Sequence, residues 1–268
     1  MSLLTYAIAE ASEGTKAELF PVSFSPLANS AWQRLADNVA SLKNLTPFPA
    51  HVLRRRWQQG YATIAVARGE VVAYISCQPI LFRATRQKLS EKLGIGGESL
   101  PDINVYEFLT GWTHPAWRRK NISLQLRRQL MARLCDTNHF CISVTVGMGA
   151  SPVSAKLGWQ VVPWSEVPYV SSMIGGPATN RAGGDEPSGW QVFGHKPYEK
   201  HTPPIQGAGQ EWEEYCYFWV SNPPLAVELD RKLAAMMGGD LPCWRDIWQT
   251  EIRRMLIDAG WLPVIFQE

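Results

Sequence analysis

The 268-residue chain has no apolar run close to the ~20 residues a membrane-spanning helix requires. Its five cysteines, Cys77, Cys135, Cys141, Cys216 and Cys243, contain no C-x-x-C pair. The odd number argues against a disulfide framework and for reduced thiols. Five histidines, at 51, 114, 139, 195 and 201, show neither H-x-x-x-H nor H-E-x-x-H spacing, so no metal is expected. An excess of one charge is also missing. With 26 Lys and Arg against 24 Asp and Glu, the net charge of +2 gives no global footprint for nucleic acid or for an anionic membrane. The first fourteen residues carry Glu10 and Glu13 and lack the charged-then-apolar order of a secretory leader. Together these absences lead to the expectation of a soluble, cytoplasmic protein.

What is present is ordinary for a globular chain, 46% hydrophobic and 19% charged, apart from 12 Trp. Large aromatics fill cores first and line ligand clefts second. Basic residues cluster at Arg54-Arg55-Arg56, Arg118-Arg119-Lys120 and Arg127-Arg128.

Helical spacing runs over 28–42 through Ala31, Leu35 and Val39, and a second short helix is read over 50–59, stopped by Gly60. The β-rich segments 61–67 and 71–80 flank Arg68-Gly69-Glu70 and read as a hairpin. A basic helix over 82–93 ends at Gly94. Strands are read at 103–113 and 140–146. Between them a helix over 123–135 has Leu124, Leu126, Leu130, Met131 and Leu134 at helical spacing, with arginines between. A short helix over 151–157 follows, capped by Gly158. Segments 159–164 and 169–174 read as strands, 175–210 as a Gly/Pro-rich loop or linker, 212–221 as an aromatic strand, and 225–237 and 243–259 as helices. In the last helix Trp244, Trp248, Ile252, Met255 and Ala259 form one stripe.

The informative stretch begins at Val105. A strand containing Glu107 runs into Pro115, then a basic turn, then an amphipathic helix. The first N–H groups of a helix lack intrahelical partners and the dipole places positive charge there. Pyrophosphate is a natural guest at such an end. Arg118, Arg119 and Lys120 add charge-assisted donors. On charge alone, a solvated basic turn is the simpler account.

The order strand, turn, helix, strand, helix over 104–159 resembles the GNAT superfamily of acyl-CoA-dependent N-acyltransferases. Arg118-Arg119-Lys120-Asn121-Ile122-Ser123 stands where that family has an Arg/Gln-x-x-Gly-x-Gly/Ala turn, and Leu157-Gly158-Trp159 resembles its Leu-Gly-Phe ending. Asn121 and Ser123 replace the two small motif positions, and Asn tolerates a left-handed backbone better than most residues.

The resemblance covers about 61–174 and implies an α/β fold: a mixed, mostly antiparallel GNAT-like sheet flanked by helices, with a helical C-terminal extension. Together with the change of composition after residue 174, it divides the chain into a 1–174 acyl-CoA-binding domain, the 175–210 loop or linker, and a 211–268 strand-plus-helices extension expected to pack on the domain. It implies acetyl-CoA or another acyl-CoA as co-substrate and a small-molecule or peptide amine as acceptor.

The same resemblance assigns cofactor binding to Trp112, Thr113, Arg118, Arg119, Lys120, Asn121, Ile122 and Ser123, and the general base to Glu107. Gly111 is expected to mark a bulge that splays the strands. The general-acid position, usually Tyr, holds Ser154, with Tyr169 as a substitute. His114 reads as a turn cap or surface residue, and Cys135 and Cys141 as buried thiols. The alternative reading is a GNAT-like binding or regulatory module that has lost transfer, with 210–268 serving a partner or a second copy. A nucleic-acid-modifying relative is the third, resting on Arg54–Arg56 and the basic turn.

Overall fold

The computed structural model describes residues 6–10, 16–19, 27–41, 48–96, 100–134, 138–146, 151–174 and 216–259. In chain order the strands are β1 (Tyr6–Glu10), β2 (Lys16–Leu19), β3 (Ala62–Ala67), β4 (Glu70–Leu81), β5 (Asn104–Thr113), β6 (His139–Val146), β7 (Gln160–Val161) and β8 (Cys216–Val220). The helices are α1 (Asn29–Ala40), α2 (Ala50–Gln58), α3 (Arg83–Leu93), α4 (Ile122–Leu134), α5 (Ser151–Lys156), α6 (Pro168–Ser172), α7 (Pro223–Met236), α8 (Leu241–Ile247) and α9 (Arg253–Asp258). Contacts divide the chain into one unit of Met1–Gln78 with Phe108–Cys135, and a second of Pro79–Glu107 with Asp136–Glu268.

In the first unit the strand order is β1-β2-β3-β4-β5. The β3–β4 hairpin pairs Ala62 with Ser76 through Ala67 with Glu70. Its tip, Arg68-Gly69, has φ of 52° and 75°, the left-handed pair of a type I′ turn that matches strand twist. Successive β3 side chains point to opposite faces. Ala62, Ile64 and Val66 join the core beneath α1 and α2, where Trp32 and Trp57 meet at 5.5 Å. Thr63, on the other face, donates to the Leu126 carbonyl of α4 at 3.0 Å. The two helical layers of this unit therefore cover opposite faces of its strands.

The basic run 54–56 divides by the same geometry. Arg54 donates to Asn29 Oδ1 at 2.6 Å. Arg56 is fully buried, donating to Gln78 Oε1 at 3.3 Å with its guanidinium 4.1 Å from the Phe48 ring centre.

In the second unit the order is β5-β6-β8-β7. β5 and β6 are parallel, from Asn104 with His139 to Glu107 with Ile142. β8 is antiparallel to both β6 and β7, so the C-terminal segment supplies a strand to the sheet. The core joins Val105, Phe140, Ile142 and Phe218 of the sheet to Leu229, Leu233, Trp244 and Trp248 of α7 and the helix after it. The fold is the mixed α/β, mostly antiparallel class with a helical C-terminal part that the sequence implies.

Two expectations are corrected here. Segment 169–174 reads as a strand from Tyr169, Val170 and Ile174, yet 168–172 is helix α6. Pro168 presets the first turn. The Asp230 carboxylate on α7 then accepts from the Tyr169 and Val170 N–H groups at 2.7 and 2.9 Å. A cap from 60 residues away outweighs local β propensity. Segment 159–164 contributes only the two-residue β7, followed by a 3₁₀ turn at Trp164–Glu166.

The last helix departs from its expected stripe. Between α8 and α9 the chain makes a π-turn over Trp248–Ile252. Its wider turn holds one extra residue, so Trp244, Trp248, Ile252 and Leu256, four apart, all stay buried. Met255 and Ala259, placed on the stripe by a strict α period, are half-buried and exposed.

Candidate active site

The turn between β5 and α4 lies wholly in the first unit. β5 ends at Thr113, whose carbonyl accepts from Arg118 Nε at 3.2 Å. His114 caps the 3₁₀ turn Pro115–Trp117, its Nδ1 accepting from the Ala116 N–H at 3.2 Å. Arg119 and Asn121 then adopt left-handed backbone, φ 62° and 58°. Asn121 thus takes the conformation that its type tolerates at a glycine position. Arg118, just before them, is extended with φ −67° and ψ 161°.

The Asn121 carbonyl accepts from Gln125 N–H at 3.1 Å, which starts α4 and leaves the amides of Ile122, Ser123 and Leu124 at its N-terminus. Ile122 is 1% exposed and anchors the helix in the core. Arg118, Arg119 and Asn121 are exposed, and Lys120 and Ser123 half-buried. The Lys120 ammonium lies 5.4 Å from the Trp117 ring centre. The arrangement joins a dipole end, a left-handed turn and three cations, which is the chemistry of a phosphate cradle. The Trp112 side chain is 4% exposed and packs beneath α1, which leaves its backbone at the strand end.

Gly111 is hemmed in. A Cβ there would lie 3.3 Å from Ile75 Cδ1 and 3.5 Å from Arg127 Nη2. Arg127 itself was expected on the polar side of α4 but is buried. Its guanidinium lies 5.6 Å from the Phe108 ring centre, and Nε and Nη1 have no hydrogen-bond partner among the described residues. Burial pulls its pKa down to about 10.

The second unit holds the proton-transfer candidates. Glu107 is the last β5 residue in register with β6, half-buried. Arg253 of α9 faces it electrostatically: burial lowers the Arg253 pKa, and attraction to Glu107 opposes that shift. Ser154 is fully buried, and its Oγ has no partner among the described residues. Its carbonyl accepts from Trp159 N–H at 3.1 Å while Gly158 N–H reaches Ala155 O at 2.9 Å. With Gly158 at φ 80°, this is a Schellman end to α5.

Tyr169 is 4% exposed and has its pKa raised, first by burial and then by Asp230 and Asp240, which makes it a reluctant proton donor. The Cys141 thiol is pushed up to about 12 by burial, against a hydrogen bond with Ser221, and is a poor nucleophile. Cys135 and the loop 175–210 lie outside the described residues. Arg253 gave no sequence signal, because only the π-turn brings it round. Arg127 had one: it stands three residues after Leu124 and three before Leu130, a helical spacing that puts it on their face.

No family model matches the chain, and no curated protein matches it. Among solved structures, 47 chains match. One is Arabidopsis thaliana NAA60 in complex with acetyl-CoA, at 12% identity and TM-score 0.38, covering 52% of this chain and 84% of that one. Another is the diaminobutyrate acetyltransferase EctA from Paenibacillus lautus with its substrate and coenzyme A, at 14% identity and TM-score 0.38, covering 56% and 81%. A third is the Drosophila melanogaster polyamine N acetyltransferase, at 16% identity and TM-score 0.36, covering 51% and 81%. Superpositions this loose lend no weight to any residue assignment.

Proposed function

We propose that this protein is an acyl-CoA-dependent N-acyltransferase, carrying an acetyl or other acyl group from the thioester to an amine. The observation that carries the reading is the β5–α4 turn. Two left-handed residues lead into the N-terminal amides of a 13-residue helix beside Arg118, Arg119 and Lys120, the elements of an anion cradle. Pyrophosphate of acyl-CoA fits this chemistry, with Ser123 adding a hydroxyl donor.

Transfer then needs an amine held against the thioester carbon. The C–N bond forms, the C–S bond breaks, and the thiolate leaves. Glu107 takes the proton that the attacking ammonium must lose, directly or through water. The buried Ser154 hydroxyl is a far weaker acid than the Tyr that the family resemblance calls for, so the thiolate takes its proton from solvent. The acceptor is a small-molecule or peptide amine.

Acetyl-CoA at about 1 mM should raise the melting temperature, and Arg118→Glu should remove that rise. Saturation a hundredfold above Kd corresponds to about 2.7 kcal/mol of stabilisation. Native mass spectrometry of freshly purified protein should show bound CoA or acyl-CoA. No shift and no adduct would sink the proposal. A second reading, binding without transfer, is favoured by Ser154 and by the Arg253 cation facing Glu107. In that case acetyl-CoA binds, but no acceptor amine releases free CoA.

A further inference from the structure

A second concavity lies in the first unit, about 460 Å³, bounded by α1, the tip of the β3–β4 hairpin, the end of β5 and the Pro115–Trp117 turn. That volume is in the range of small-molecule sites. Leu35 of α1 and Val71 and Val72 of β4 give it aliphatic walls, each under 10% exposed.

Three rings share the lining with them: Trp112, His114 and Trp117. Trp112 and His114 meet edge to face, their centroids 6.0 Å apart and their planes at 84°. His114 is tied down at both ends of its residue. Its N–H donates to the Val72 carbonyl at 2.8 Å, and its Nδ1 accepts from the Ala116 N–H at 3.2 Å. With Nδ1 an acceptor, the ring proton sits on Nε2, the nitrogen farther from the main chain. Asn38, exposed on α1, adds a side-chain carbonyl and an NH2 to the same lining.

These features select the chemistry of a guest. An aromatic ring adds an edge-to-face or offset contact with the indoles that a saturated ring of similar size lacks. A charged group would shed its hydration against apolar walls. The ionic side chains of the rim are already engaged. Both Glu70 oxygens accept from Arg34, through Nε at 2.7 Å and through Nη2, and Arg68 is not free. An uncharged carboxamide meets His114 with its carbonyl and Asn38 with its NH2, and leaves those rim contacts intact. The concavity contains none of residues 118–123, and it lies on the α1 face of the strands, opposite α4.

We propose that this concavity is a separate binding site for a small, uncharged aromatic molecule bearing a carboxamide, with its ring against Trp112 and Trp117 and its polar end toward His114 and Asn38. The inference does not depend on acyl transfer and stands or falls apart from it.

The test is a fluorine NMR titration of the full chain with 4-fluorobenzamide, followed by competition with benzamide, cyclohexanecarboxamide, benzoate and benzylamine. The fluorine resonance should shift or broaden with a Kd of about 1 mM or tighter. Benzamide should displace the probe at least about fivefold better than cyclohexanecarboxamide, a difference of about 1 kcal/mol. It should outdo benzoate and benzylamine at least about tenfold, or about 1.4 kcal/mol. Asn38→Trp, an exposed substitution at the mouth, should abolish probe binding by filling the space, while keeping the wild-type response to acetyl-CoA, whatever that response is. His114→Phe, which keeps a ring and removes the Nε2 donor, should weaken benzamide at least about fivefold.

No binding of the probe at millimolar concentration, or full binding by Asn38→Trp, would overturn the assignment of the site. Equal displacement by cyclohexanecarboxamide, by benzoate or by benzylamine would overturn the assignment of the ligand.

Discussion

Asp230 offers a test of the second unit that needs no ligand. It is 6% exposed on α7, and its Oδ1 takes both N–H groups at the start of α6. Burial raises its pKa from 3.8 to about 6 despite those two hydrogen bonds. A rise of that size means the ionised form is held about 3 kcal/mol less favourably in the folded chain than in the unfolded one. The sign follows from proton binding. Below pH ~4 the group is protonated in both states and nothing is lost. Between about 4 and 6 the unfolded chain ionises first, and stability falls. Above about 6 the full penalty is present.

Asp230→Asn keeps the Oδ1 acceptor for both amides and removes the charge. The stability of the variant relative to wild type should therefore rise with pH, by up to about 3 kcal/mol between pH 4 and 7, and then level. Urea unfolding at half-unit pH steps measures this, and the contribution of every other group cancels in the difference. A difference that is flat with pH would refute the burial argument. Asp230→Ala, which orphans two buried amides, should lose about 2–5 kcal/mol below pH ~4, and that deficit should shrink by the same ~3 kcal/mol as pH rises, because the titrating group is gone.

Arg127→Met removes a buried, incompletely bonded guanidinium while keeping bulk beside Phe108. Melting temperature should hold or rise, since replacing such a charge by an apolar chain is neutral to about 3 kcal/mol stabilising; a clear fall in a thermal scan would mean the cation has a partner. Trp244→Phe loses indole donation to Tyr169 O and Ser172 Oγ, both at 2.9 Å, and should cost about 2–4 kcal/mol in chemical denaturation. At φ 58°, Asn121→Gly should lie within about 1 kcal/mol of wild type and keep the acetyl-CoA shift, whereas Asn121→Val should lose about 1–2 kcal/mol and weaken that shift. Equal behaviour of the two substitutions in thermal shift would deny position 121 its left-handed role.

Much of the fold could be read from local pattern because its decisive contacts are local. The 61–80 hairpin has its turn residues between two apolar runs. The helix over 83–93 ends on Gly94, and α5 ends on the glycine that its Schellman bonds require. The turn at 118–123 was legible for the same reason: its cations and its helix start are adjacent in sequence. What escaped was set by distant groups. α6 depends on Asp230, and the burial of Arg127 depends on its facing Phe108 and Gly111. Arg253 reaches Glu107 only through a change of helical pitch. Ser154 could be named from its spacing before Leu-Gly-Trp, but its isolation from solvent comes from packing.

That change of pitch makes the last helix unequally tolerant of length. The wide turn over Trp248–Ile252 holds one residue more than an α-turn, so removing one of Gln249–Glu251 would let a regular α-turn form and leave Arg253 and Leu256 on their present bearings. The same deletion within α8 would rotate everything beyond it by about 100° and swing Trp248, Ile252 and Leu256 off the core. One lost residue would therefore be absorbed at the first place and read as a rotation at the second.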